Sequence, residues 1–212
     1  MEQRVTKSGR LTASEQKRLA ILDNALAMLL EDGFDGMNMD ELSERALVSK
    51  ATIYNRFGSK EDLFLEVIAH SLKKNRDKIV TDDLASLPAR EGLLKVAFEL
   101  TSMFGRDDDM LRLCKLCIVA AERFPLATEA FLKSGPGQGT EQVAEHIKRW
   151  QERGELKPAD PLLAAQQLAE LSKTSIFDKR MYAHHGPMSV VRCHEIAEEA
   201  VATFLARYGA RA

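Results

Sequence analysis

The stretch SKATIYNRFGSKEDL, residues 49–63, combines hydroxyl, amide and basic side chains and contains no acid before Glu61. Two apolar side chains, Ile53 and Phe57, stand four residues apart within it. Side chains at this spacing lie on the same face of an α-helix. The stretch therefore predicts a short helix, beginning after Ser49, that buries one apolar face and exposes a polar, acid-free one.

The rest of the chain shows helical periodicity as well. Apolar residues recur at spacings of three and four, and no stretch alternates with period two over the length of a strand. We therefore expect an all-α protein, with breaks at Gly33, Gly105 and Pro125. The expected helices span about residues 12–32, 39–46, 49–57, 88–104, 107–124, 139–153, 161–182 and 189–208, with one more after Ser59 and a short one after Pro125.

Local cap signals support two of these helix starts. Thr12 precedes Glu15 by three residues, and Ser59 precedes Asp62 by three. A hydroxyl at the N-cap and a carboxylate three residues later can each bond the other's backbone N–H. Both positions are therefore predicted to begin helices.

Two of the expected helices are short, adjacent and preceded by a longer one. This is the layout of a helix-turn-helix, whose second helix places its N-terminal residues in the major groove of DNA. A helix that reads base edges needs donors and acceptors, and it lacks carboxylates that would repel phosphates. Residues 49–57 meet both requirements, so we interpret them as a recognition helix.

Charge is unevenly distributed, although the net charge of the 212 residues is only −2. Residues 45–60 contain four bases and no acid, whereas residues 31–44 contain six acids and no base. Affinity for phosphate depends on clustered cations, so this pattern favours a local nucleic-acid surface over a general polyanion-binding protein. A second basic cluster, formed by Arg4, Lys7, Arg10, Lys17 and Arg18, is either a minor-groove arm or a solvated tail.

An ordered set of motifs follows the first helix: Gly33-Phe34, a helix start after Asn38, Val48-Ser49-Lys50, Thr52-Ile53-Tyr54, Phe57, Ser59-Lys60-Glu61 and Leu63. Over residues 17–70 this set resembles the DNA-binding region of the TetR family of bacterial transcriptional regulators. Residues 120–139 and 153–171 are similar to the C-terminal domains of one TetR subgroup.

The resemblance implies a specific organisation. Residues 1–60 would form an N-terminal arm and a three-helix DNA-binding domain with the helix-turn-helix. Residues 61–87 would contain a connecting helix, and residues 88–212 a larger helical domain for effector binding and dimerisation. The implied function is that of a homodimeric repressor that a small-molecule effector releases from a palindromic double-stranded DNA operator. Because the sequence shows neither a membrane span nor the apolar core of a signal peptide, we expect it in the cytoplasm. The alternative is an architectural or nucleoid DNA-binding protein of the same fold without an effector.

Chemistry and resemblance together give the expected DNA contacts: Asn38, Ser49, Lys50, Thr52, Tyr54, Asn55 and Lys60. Thr52 or Asn55 would read bases, while Tyr54 and Lys60 would contact phosphates. A lysine in the first turn of a helix opposes the helix dipole, and a nearby phosphate would explain Lys60. The alternative for Thr52 is that its hydroxyl bonds its own helix. Asn38 is expected to cap the second helix, with a phosphate contact in addition.

Two positions depart from the family pattern. Leu47 stands where the family usually has glycine, in the turn between the two short helices. A branched residue at positive φ costs about 1 kcal/mol or more, so we expect a differently shaped turn. Arg56 stands where the family often has histidine or an aromatic residue, which affects an expected contact and not the fold.

Specific reading of a genome needs more bases than one helix covers, so we expect a homodimer. The last helices carry apolar stripes that could close onto a second copy as a four-helix bundle, an arrangement that the resemblance also implies. The alternative is that both stripes face the core of their own chain. The stripe residues are Leu162, Ala165, Ala169 and Ile176, then Val190, Cys193, Ala197, Val201, Phe204 and Tyr208.

In the family, a cavity between the reader and the dimer interface binds a small effector that changes the spacing of the two recognition helices. We expect a small apolar or amphipathic effector here. The candidate lining residues are Phe98, Met103, Phe104, Leu113, Cys117, Trp150 and Phe177. The alternative for each is a place in the hydrophobic core.

Other classes have little support in the sequence. It has no glycine-rich phosphate loop, nucleophile elbow or HExxH motif, so we expect neither an enzyme nor a bound cofactor. No apolar run reaches the roughly 18 residues of a membrane span.

A metal or redox site is a further possibility that the cysteines raise. Its ligands would be Cys114 and Cys117, with Cys193-His194 and His184-His185 as additional candidates. Their apolar neighbours favour buried thiols instead.

Overall fold

The computed structural model describes residues 11–133, 137–174, 176–183 and 185–210. These residues form α-helices and one short 3₁₀ helix without a β-strand, which confirms the all-α prediction. The chain divides into two compact units, Met1–Ser71 and Leu72–Ala212. The division falls inside the helix that we expected to connect the two domains.

The first four helices are α1 (Ala13–Gly36), α2 (Met39–Arg45), α3 (Lys50–Phe57) and α4 (Lys60–Ile79). A 3₁₀ helix follows at Asp82–Ser86. The later helices are α5 (Ala89–Arg106), α6 (Asp108–Ala120), α7 (Pro125–Leu132), α8 (Gln138–Glu152), α9 (Pro161–Lys173), α10 (Ile176–Tyr182) and α11 (Val190–Tyr208). The expected single helix over residues 161–182 was wrong: Thr174 has φ −20° and ψ 108°, which ends α9.

Local caps form in the first unit as the sequence predicted. The Thr12 hydroxyl accepts a hydrogen bond from the Glu15 amide at 3.2 Å, and the Glu15 carboxylate accepts one from the Thr12 amide at 2.8 Å. The Ser59 hydroxyl accepts from the Asp62 amide at 3.0 Å at the start of α4. Gly33, with φ 73°, kinks α1 instead of ending it.

The core of the first unit holds the short helices in place. Helices α1, α2, α3 and α4 all contribute fully buried side chains, and the rings of Phe34 and Phe64 lie 5.3 Å apart. The side chains with an exposed fraction of 0% include Ile21, Leu22, Leu42, Ile53, Leu63, Phe64 and Val67. The recognition helix is thereby docked through its apolar face.

The core of the second unit is built from α5, α8, α9 and α11 around Trp150. The Trp150 side chain is 1% exposed, and its Nε1 donates to the Leu87 carbonyl at 3.0 Å. Gly92 lies so close to the indole that a Cβ there would be 2.2 Å from Trp150 Cζ2. Position 92 therefore requires glycine, because the indole of Trp150 leaves no space for a side chain.

A buried arginine joins three helices of the second unit. Arg180 of α10 is 4% exposed, donates from Nη1 to the Phe104 carbonyl at 3.0 Å and pairs through Nη2 with Asp108. These contacts fix α10 against the end of α5 and the start of α6. Nothing in the local sequence around position 180 indicated this role.

Candidate nucleic-acid interface and ligand cavity

Helix α3 separates its inner and outer faces as the spacing predicted. Ile53 and Phe57 are buried, at 0% and 8% exposure. Asn55 is exposed, and Tyr54 is 39% exposed. The polar side chains on the outer face of this helix are therefore available to a ligand.

Two of the expected DNA contacts also cap helices. The Ser49 hydroxyl accepts from the Thr52 amide at 3.1 Å, and it lies 2.8 Å from the Thr52 hydroxyl. The Asn38 Oδ1 accepts from the Asp40 amide at 2.8 Å. The expected cap at Asn38 is thus present, the Thr52 hydroxyl meets Ser49 at the start of its own helix, and Asn55 is the more exposed of the two expected base readers.

Acids from residues 31–44 pair with the basic stretch. Lys50 Nζ lies 2.9 Å from the Asp40 carboxylate, and this hydrogen bond raises the pKa of Lys50. Arg45 lies 2.6 Å from Glu41 and 3.3 Å from Glu31. The two opposite charge clusters of the sequence therefore compensate each other in part. These pairs are solvent-exposed, so a DNA phosphate could compete for either cation.

Lys60 and Arg56 have partners within the first unit. Lys60 Nζ is 3.5 Å from the Asp35 carbonyl and 4.9 Å from the centre of the Phe34 ring. A cation at this distance from an aromatic face is attracted by it, so a nearby phosphate is not needed to explain Lys60. Arg56 Nη2 donates to the Ser14 hydroxyl at 2.7 Å.

The turn before α3 contains a residue in the left-handed backbone conformation, although that residue, Leu47, is not a glycine. Leu47 has φ 53°, and its side chain is 91% exposed. The Val48 amide bonds the Ser43 carbonyl at 3.0 Å, which closes the end of α2. The expectation of a differently shaped turn was therefore wrong, because the leucine adopts positive φ and projects into solvent.

The second unit contains a cavity of about 470 Å³. Its walls come from the end of α4 and from α5, α6, α7, α8 and α9. The apolar lining includes Leu72, Ile79, Leu100, Met103, Phe104 and Met110. The polar lining includes Asn75, Arg76, Glu141, Gln166, Glu170 and Lys173. A cavity of this volume, lined mainly by apolar side chains with a few polar ones, is typical of sites that bind small molecules.

Two of the expected effector residues, Met103 and Phe104, line this cavity. The other expected residues lie elsewhere in the second unit. Phe98 stacks on His194 with 3.9 Å between ring centres, and Phe177 packs edge-on against Phe104. The remaining three, Leu113, Cys117 and Trp150, are buried outside the lining, as the core alternative described. Sequence reasoning missed Arg76 and Cys114, since helical spacing does not show which neighbours an apolar face meets.

The expected dimerisation stripes differ in burial within the single chain. Leu162, Ala165 and Ala169 of α9 line the cavity. Ile176 and the stripe on α11, formed by Cys193, Ala197, Val201, Phe204 and Tyr208, are at most 6% exposed within the single chain. These side chains pack in the core of their own chain. Leu162 and Val190, at 42% and 41% exposure, remain accessible.

The thiols behave as buried apolar groups. Burial raises the pKa of Cys114 to about 11 and that of Cys117 to about 12, so both are protonated at neutral pH. Within the described ranges, no three side chains of His, Cys, Asp or Glu converge on a metal position. His184 and the arm residues Arg4, Lys7 and Arg10 lie outside the described residues.

Comparison with known proteins assigns the helix-turn-helix region and the second unit to one family. Residues 21–67 match the profile of "Bacterial regulatory proteins, tetR family", and residues 91–210 match that of the "AefR-like transcriptional repressor, C-terminal domain". The chain belongs to the TetR family. It is therefore a helix-turn-helix, DNA-binding regulator of transcription and not an enzyme.

Individual relatives agree with this family. The uncharacterized helix-turn-helix regulator YhgD of Bacillus subtilis (strain 168) is 28% identical over 77% of this chain and 84% of its own length. A TetR-family regulator from Pseudomonas syringae pv. tomato DC3000 is 30% identical, with a TM-score of 0.68 over 94% of this chain and 99% of that one. A protein assigned to the family from Mesorhizobium loti MAFF303099 is 28% identical, with a TM-score of 0.84 over 94% of this chain and all of that one. Among the helices that the structure describes, none is long and apolar enough to cross a membrane.

Proposed function

We propose that the protein is a homodimeric, cytoplasmic repressor that leaves a palindromic operator when a small molecule fills the cavity of its second unit. The observation that carries this proposal is the presence of both a polar, docked recognition helix and a cavity of about 470 Å³ in one TetR-family chain. The matched C-terminal profile, which describes a repressor, supports repression.

The DNA side of the proposal rests on the outer face of α3. Asn55 is exposed, and an amide can bond an adenine edge through two hydrogen bonds. Tyr54 and Lys60 would contact phosphates beside it. Ser49, Lys50, Thr52 and Asn38 would border the groove while keeping the caps and ion pairs that order the turn.

The effector side rests on helix α4. Residues 60–71 of this helix belong to the first unit, while Leu72, Asn75, Arg76 and Ile79 line the cavity in the second. A ligand in the cavity therefore contacts the same helix that begins beside the recognition helix in the sequence. Half-sites in successive major grooves lie about 34–36 Å apart, so a shift of a few Å is enough to prevent simultaneous docking.

The dimer side rests on surfaces that the single chain leaves open. On α9 and α11 the exposed apolar side chains include Leu163, Val190 and Val191, at 47%, 41% and 67%. Together with Leu162, at 42%, these residues are the candidates for the interface between two copies. An isologous contact of this kind would mirror a palindromic operator.

Selection of bound fragments from a random duplex pool, followed by measurement of the complex mass, tests this proposal. We expect a palindromic sequence bound by two chains. The Leu163→Glu variant should weaken dimerisation and operator binding together, whereas Gln142→Glu adds the same charge at an exposed position of α8, outside α9 and α11, and serves as the control. Binding that follows salt concentration but enriches no sequence would favour the architectural or nucleoid alternative.

A further inference from the structure

The charged residues of the cavity differ in burial according to their sign. The positive side chains are the covered ones: Arg76 is 11% exposed and Lys173 is 26% exposed. The negative ones face solvent, with Glu170 at 74% and Glu141 also exposed. Arg76 is therefore the most covered of these charged side chains, and solvent screens its charge less than it screens the exposed acids.

The contacts of both cations hold them at the wall. Arg76 pairs with the Gln138 side chain, and its Nη2 lies 3.8 Å from the Asp77 carboxylate. Lys173 Nζ lies 2.6 Å from Glu170 and 5.7 Å from the centre of the Phe104 ring. The charge of Lys173 also opposes the rise in the pKa of the Cys114 thiol, which lies on the same wall. Lys173 therefore acts on a thiol of the lining, and Arg76 belongs to the same lining.

The rest of the lining is suited to an apolar body. Leu100, Met103, Phe104 and Met110 present side chains that cannot bond a polar ligand atom. Burying a polar group against them would cost free energy, so the polar part of a ligand must lie toward the charged wall. A cationic head would meet two covered cations there, whereas an anionic head would meet charge-assisted donors.

We propose, building on the function proposed above, that the effector is an amphipathic anion whose apolar body fills the cavity and whose anionic head pairs with Arg76. Lys173 is the second cation of the lining. The guanidinium fork can bond a carboxylate through two parallel hydrogen bonds, which gives orientation as well as affinity.

Three probes with the same alkyl tail test the head group: decanoate, decan-1-ol and decylammonium, each kept below its micelle concentration. Isothermal titration at neutral pH with the full-length protein gives their affinities. We expect decanoate to bind about tenfold or more tightly than either of the others, as a charge-assisted bond to a buried group allows. Equal affinities, a preference for decan-1-ol or decylammonium, or no binding of decanoate would overturn the proposal.

Two variants that each remove one arginine charge test whether Arg76 binds the anionic head. Arg76→Gln should reduce decanoate affinity about tenfold and leave decan-1-ol affinity unchanged. Arg112→Gln removes the same charge from an exposed position of α6 outside the lining and should change neither. If Arg76→Gln is poorly folded by circular dichroism, Arg76→Lys keeps the charge but not the fork and should still lose affinity. Equal affinities of the Arg76 and Arg112 variants would contradict the assignment.

The proposed function is measured separately, by operator binding. Decanoate that binds the cavity without releasing the operator would contradict the effector role while supporting the ligand class. Release by decan-1-ol, with decanoate inactive, would support the effector role and overturn the ligand class.

Discussion

The recognition surface and the cavity are built in opposite ways. The recognition surface lies on α3, and its order comes from bonds between near neighbours, such as the one from the Thr52 amide to Ser49 at 3.1 Å. The cavity takes its walls from six helices, α4 to α9, whose residues lie as far apart in the chain as Leu72 and Lys173. Substitutions on the first should therefore change binding without changing the fold, whereas substitutions around the second should often change both.

The largest expected effect tests the core beside the cavity. Replacing Trp150 by alanine removes a large buried side chain and its hydrogen bond to Leu87, so unfolding should become easier by about 3–5 kcal/mol. Met103→Leu, at the cavity wall, keeps side-chain volume and should cost less than about 1.5 kcal/mol. Urea denaturation measures both. A loss below about 1 kcal/mol for Trp150→Ala would mean that the indole is not a core element.

The next effect tests the recognition surface. Asn55→Ala should remove about 1–3 kcal/mol of discrimination at one or two base pairs of the selected operator and leave thermal stability unchanged. Thr52→Val keeps the shape but loses a hydroxyl that already faces Ser49, so its effect should be smaller. Competition binding with single-base operator variants measures both. Uniform weakening on every sequence would assign Asn55 to phosphate contact.

The same contrast explains what could be predicted from the sequence. The caps at Thr12, Ser49 and Ser59 depend on residues three positions apart, so a reader of the sequence can find them. The residues that line the cavity could not be found in this way, because they depend on which helices meet. The stripe on α11 shows the same limit: helical spacing identified Cys193 and Val201 as members of an apolar face but did not show that this face packs in the core of its own chain. The break after α9 at Thr174 likewise carried no glycine or proline signal.

A smaller effect tests whether the turn before α3 is strained. Left-handed backbone at position 47 costs a non-glycine residue about 1–2 kcal/mol, and glycine removes this cost. Glycine also increases the conformational entropy of the unfolded chain, which offsets part of the gain in stability. Leu47→Gly should therefore stabilise the protein by up to about 1 kcal/mol. Leu47→Ala keeps a Cβ and should change stability little. An equal gain from both variants in urea denaturation would show that the exposed side chain, and not the backbone, is the cause.

The smallest effect concerns a titrating group in the second unit. Burial, with a contribution from the charge of Arg149, lowers the pKa of His146 below 6.5. The unfolded chain then binds a proton before the folded one, so stability should fall as pH decreases below about 6.5. His146→Gln should reduce this slope between pH 7 and pH 5 in thermal unfolding. A slope that the substitution leaves unchanged would assign the pH dependence to other groups.

The most direct test of the whole account is a binding cycle with the selected operator and decanoate. Operator affinity is measured with and without decanoate, and decanoate affinity with and without operator. A ligand-responsive regulator requires that each ligand weakens the other by the same factor, since coupling between two sites is reciprocal. We predict a factor of about 5–150 in both directions. Unchanged operator affinity at saturating decanoate, with decanoate bound in the cavity, would contradict the account.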